Sequence, residues 1–90
     1  MTKEMIKAEA KKNLESVNFY SYNPIKLDAA VDNGIPEGAV IMADSNLIVK
    51  KEGSKAIGRN ANGEILKELD LIGDFADKAL IMYAMSEARS

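Results

Sequence analysis

The sequence predicts an α+β domain, and three observations predict it. Between Ala39 and Leu71, short apolar segments alternate with turn signals. Before and after that stretch, apolar residues recur at helical spacing. The chain has 90 residues, which suits one domain spanning 1–90. The expected architecture is a two-layer fold: an antiparallel β-meander of about four strands, flanked by an N-terminal and a C-terminal helix.

The meander rests on its turns. Ala39-Val40-Ile41-Met42-Ala43 stops at Asp44-Ser45-Asn46. Leu47-Ile48-Val49-Lys50-Lys51 stops at Glu52-Gly53-Ser54, and Lys55-Ala56-Ile57-Gly58-Arg59 at Asn60-Ala61-Asn62-Gly63. A fourth segment runs from Glu64 to about Leu71, mixing Ile65, Leu69 and Leu71 with charges. Connections this short close hairpins and are too short for a parallel crossover. The sheet is expected over about 39–71.

The N-terminal helix is expected over about 2–17, with Thr2 as N-cap. Ile6, Ala10, Leu14 and Val17 share one face; the others carry mainly charge, so this helix should lie on the surface, lightly attached. Asn18-Phe19-Tyr20-Ser21-Tyr22 has high β-propensity and reads as an extended segment or a fifth, edge strand. Asn23-Pro24 signals a short helix to about Asp32, burying Leu27, Ala30 and Val31 and ending at Asn33-Gly34. The last helix is expected over about 74–89, capped by Asp74.

That last helix is apolar nearly all round. Ala76, Ala79, Leu80 and Tyr83 form one face, with Phe75 and Met82 flanking it. Ile81, Ala84, Met85 and Ala88 extend round the far side. A helix on a single sheet needs one apolar stripe, so something else covers the rest. Two covers are open: the N-terminal helix, or a second protein chain. The second alternative makes Phe75, Ile81, Met82 and Met85 an expected interface. Tyr20 and Tyr22 join it as a candidate contact patch, with anchoring of the linker to the core as their other reading.

Composition excludes several function classes. The chain has no His and no Cys. That removes Ser-His-Asp and Cys-His nucleophilic systems and the usual zinc sites. No catalytic residue, metal or cofactor is expected. Asp28 and Asp32, and the cluster Asp70, Asp74 and Asp77, suit Mg²⁺ in principle, but read more simply as caps and solvated charge. The loop from Gly58 resembles a calcium loop only in Asn60-Ala61-Asn62-Gly63, lacking the acids at its first and last positions. The formal net charge of −2 argues against nucleic-acid binding through phosphates. No apolar run approaches the about 20 residues needed to span a bilayer. Met1-Thr2-Lys3-Glu4 leads into a charged helix rather than a secretory signal, and together with the lack of Cys this points to the cytoplasm.

The sequence therefore leads to a non-enzymatic protein-interaction module, a small regulator or inhibitor acting as a homodimer by binding a partner protein. The alternative is a small-ligand binder that captures a phosphorylated metabolite or nucleotide. Its candidate site is Lys55, Arg59, Asn60 and Asn62, where turn amides and two cations could meet an anion.

Overall fold

The computed structural model describes residues 1–17 and 21–89. Its elements run α1 (Lys3–Ser16), α2 (Pro24–Asn33), β1 (Val40–Asp44), β2 (Leu47–Glu52), β3 (Lys55–Arg59), β4 (Ile65–Asp70) and α3 (Gly73–Ala88). The sheet order is β1-β2-β3-β4, all antiparallel, so the meander is as the turns predict.

Both expected N-caps of the first two helices are in place. Thr2 Oγ1 accepts from the Met5 amide at 3.2 Å, and Asn23 Oδ1 accepts from the Ile25 amide at 3.0 Å. Gly34 stops α2 at φ +74°, a conformation that costs glycine little. α3 differs from expectation at its start. It begins at Gly73, with Ile72 as N-cap and no capping side chain, so Asp74 lies in the first turn instead of capping it. There its charge still faces the positive end of the helix dipole.

α1 is less peripheral than its thin stripe suggests. Ala10 and Leu14 are fully buried and Ile6 nearly so, while Val17 caps the C-terminal end and is exposed. Ala10, Ala84 and Ala88 all sit in the helical core at 0% exposure. Small side chains there let the helix backbones approach closely, which a thin stripe permits. Charges flank the contact: Lys7 Nζ lies 2.8 Å from Asp32 Oδ1, and Lys11 Nζ lies 4.0 Å from Asp28 Oδ1. Lys3 Nζ donates to the Asp32 carbonyl at 3.0 Å, near the C-terminal end of α2.

α3 lies between two cores. On one side Ile81, Tyr83, Ala84 and Ala88 pack with Ile6 and Leu14 of α1 and Leu27 and Val31 of α2. On the other, Ala79 packs with Ile41 of β1 and Ala56 of β3. So α1 and α2 together cover the second face of α3 within the protomer. This answers part of the question raised by its apolar character.

No fifth strand joins the sheet among the described residues. Tyr22 instead forms an isolated antiparallel bridge with Arg89, and the Asn23 amide donates to the Ala88 carbonyl at 2.7 Å. The Ala88 carbonyl is one of those that the C-terminal end of α3 leaves without a helical partner. Tyr22 is half-buried against the helical core, so it serves as an anchor here. Tyr20 lies outside the described residues, as does Phe19.

Candidate functional site

The register of the sheet sorts its side chains into two faces. Met42, Val49, Gly58 and Lys67 form one cross-strand row, and Lys51, Ala56 and Leu69 a second. Both rows look toward α3. Lys50, Ile57 and Glu68, with Ile48, Arg59 and Ile65, look the opposite way. Each edge strand carries a bulge. Between Val40 and Met42 the pairing slips by one residue, which brings Ile41 to the α3 side next to Met42.

α3 makes its main sheet contact at the β1 edge and leaves the β4 side bare. Every residue of β4 is exposed. The result is an apolar cleft of about 160 Å³ between α3 and the sheet. Its deep surface is small, with Ala56 and Ala79. Larger side chains wall it: Leu47, Val49 and Leu69 from the sheet, Phe75 and Met82 from α3. Leu47 and Val49 lean over Gly58, where a side chain would meet Leu47 Cδ1 at 2.9 Å. Two cations, Lys67 and Lys78, also line the cleft, and no acidic residue does. Neither lysine forms an ion pair among the described residues.

Met82 separates this cleft from a second opening of about 270 Å³. That opening lies along the β1 edge, between Met42 and Ala43 on one side and Met85 and Arg89 on the other. Met82 itself is 41% exposed. Thioether side chains are unbranched and polarisable, and they suit a surface that must adapt to a partner.

A third hollow, about 390 Å³ and more open, lies between α2 and α3. Lys26, Asn33 and Glu87 rim it, and the Tyr83 ring forms part of its wall. Burial pushes the Tyr83 phenol up from its ordinary pKa, and the Glu87 carboxylate adds to the shift. The ring belongs to the helical core.

The expected interface residues divide. Met82 is exposed and Phe75 and Met85 are half-buried, so these three border the two openings beside α3. Ile81 is 7% exposed and packed in the helical core, so it is already covered within the protomer.

The candidate anion-binding residues do not converge. Lys55 and Arg59 stand at opposite ends of β3, on the face turned away from the cleft. Arg59 is held by a two-pronged ion pair with Glu52, whose second bond, Nη2 to Oε1, is 3.1 Å. Hydrogen bonding to Arg59 holds the Glu52 carboxyl below its ordinary range. Asn60 Oδ1 accepts from the amides of Asn62 and Glu64, each at 3.0 Å, so the turn uses those donors itself. Gly63 takes the positive φ, +85°, that completes this hairpin loop. Asp28 and Asp32 are likewise turned to Lys11 and Lys7. Among the described residues, no group of three or more acids is placed to hold a metal ion.

The sheet side of the cleft was not foreseen. Leu47, Val49 and Leu69 are ordinary strand residues, and Gly58 carries no motif. The one sequence signal was the mismatch between a four-stranded sheet and a single helix following it. No helix of the described residues is long and apolar enough to cross a membrane. No family model, curated protein or solved structure matches this chain.

Proposed function

We propose that this chain is a non-enzymatic protein-interaction module, a small regulator or inhibitor, that works as a homodimer through the surface around Met82. The observation that supports this reading is the cleft itself. It is walled by Leu47, Leu69, Phe75 and Met82, and Met82 remains 41% exposed although α3 is otherwise packed on both sides. A chain of 90 residues has little core to spare, and leaving such a surface in water is costly unless it is covered in use. We place the protein in the cytoplasm on the ground of its cysteine-free composition.

The magnitudes allow a dimer. Covering each large apolar side chain contributes roughly 1.5–3 kcal/mol. Phe75 and Met85 are already half-buried and add only part of that; with Met82 and Leu69 on both copies, the gain reaches the range of the association cost, roughly 4–15 kcal/mol. Met82→Glu tests the reading, because it sets a carboxylate within the apolar contact, where desolvation opposes association. Sedimentation equilibrium is expected to give a dimer for the wild type and a monomer for Met82→Glu, with the folded circular dichroism spectrum retained. Equal association by both proteins refutes the assignment of this surface.

A further inference from the structure

Asp74 and Lys78 lie one helical turn apart on α3, and both are exposed. No ion pair closes between them, and neither is paired elsewhere among the described residues. Lys78 belongs to two hollows at once. It lines the apolar cleft, and it lines a small depression at the start of α3 together with Asp74 and Asp77. Just before the helix, Ile72 is 70% exposed, the most exposed large apolar side chain adjoining α3. The start of α3, where Lys78 borders the cleft, thus presents an uncovered apolar knob, an unpaired acid and an unpaired base within seven residues of sequence.

We infer that the dimer is a two-fold in which the first turns of α3 lie antiparallel, with Asp74 of each copy on Lys78 of the other and Ile72 of each copy in the other's cleft. This inference rests on the homodimer reading above and says how the two copies meet. A two-fold contact brings the same patch of each copy against itself, so every contact forms twice. A patch with one charge sign opposes its own copy. A patch carrying one acid and one base at fixed spacing on a helix matches its copy when the two helices run antiparallel. The acid of each then faces the base of the other. The cleft supplies cations and no acid, so an occupant needs a carboxylate beside an apolar side chain. Ile72 and Asp74 are such a pair, two residues apart on this same chain. Pairing opposite charges fixes register and excludes wrong alignments more than it adds affinity, which is the role a small symmetric contact requires.

Charge exchange tests the arrangement. Asp74→Lys alone and Lys78→Glu alone each place like charges in both copies of the contact. Each is expected to raise the dimer dissociation constant at least tenfold. Mixed in equal amounts, the two single variants should associate with each other, because every facing pair is then opposite in sign. The double variant Asp74→Lys/Lys78→Glu should dimerise alone. Ile72→Ser should weaken the dimer by a similar factor and leave the urea stability of the dissociated protomer unchanged, since Ile72 is exposed in the protomer. Single variants that dimerise like the wild type, or a mixture that stays monomeric, overturn this geometry while leaving a dimer through Met82 standing. A wild type that is itself monomeric overturns both.

Discussion

Leu47 lies across Gly58. A Cβ on Gly58 would stand 2.9 Å from Leu47 Cδ1 and 3.5 Å from Val49 Cγ2, so a β2 side chain occupies the space that a β3 side chain would otherwise fill. Gly58 has no positive φ, and its role is this close approach. The cleft therefore depends on a missing side chain as much as on the apolar ones around it.

Gly58→Ala should be mild, because the atom it meets is the tip of a flexible side chain. The gain in strand propensity, on a scale of about 1 kcal/mol, works against the displacement of Leu47. Gly58→Val should cost about 1–3 kcal/mol through overpacking and push Leu47 into the cleft. Urea denaturation measures the first effect and sedimentation the second. Unchanged association in a folded Gly58→Val variant would show that the cleft takes no part in the contact.

Leu27 and Ile48 should respond very differently to truncation. Leu27 is fully buried in the three-helix core, while Ile48 is exposed on the outer sheet face. Leu27→Ala is expected to cost about 2–5 kcal/mol, and Ile48→Ala under about 1 kcal/mol. A domain of this size holds about 5–15 kcal/mol in all, so Leu27→Ala approaches unfolding. Equal losses in urea denaturation would mean that the helices do not carry the main core.

The strands, their order and the α2 face of Leu27, Ala30 and Val31 were legible because each rests on local chemistry. Turns announce themselves with Gly and Asn, and one buried face repeats at a helical period. The sorting of β2 into faces was not legible. Leu47, Ile48 and Val49 are all apolar, so alternation does not say which side faces α3. The bulges at Ile41 and near Leu66 shift parity again, and no residue type marks them. The two-sided cover of α3 was legible only as a question. Its answer depended on Ala10, whose smallness looked like weak attachment and proved to be close packing. The candidate anion site failed to assemble for a related reason. Lys55 and Arg59 share a face by alternation, but five residues of strand hold them at opposite ends, and Glu52 claims Arg59 from the neighbouring strand.

The outer sheet face has its own cover. Ile57 is 9% exposed although it belongs to neither core. In the register, Glu52 and Arg59 flank the Lys50–Ile57 pair on either side, so their ion pair reaches over it. Glu52→Gln should therefore raise the exposure of Ile57 as well as remove the charge pair. Hydrogen exchange at the Ile57 amide reports this, and unchanged protection would leave Ile57 covered by other means.

The acid side of the stability profile follows from Glu52 and Asp32. Arg59 and Lys7, through their hydrogen bonds, hold these two carboxyls below their ordinary range. A carboxylate whose folded pKa is lowered stabilises the fold above its unfolded value. That stabilisation is lost as pH falls through the carboxylate range of about 4 toward the folded value. Tm should thus drop below about pH 4.5, and the drop should shrink in Glu52→Gln/Asp32→Asn. Both side chains are solvent-facing, so the effect should also weaken in high salt. An acid limb identical in the double variant would assign it to other groups.

The central claim is that the surface around Met82 closes on a second copy. Native mass measurement of the unmodified protein tests this most directly, because it reports the number of chains and any retained ligand together. The account predicts a species of twice 9.8 kDa with no added mass at high micromolar concentration. A single chain of 9.8 kDa under those conditions would contradict it.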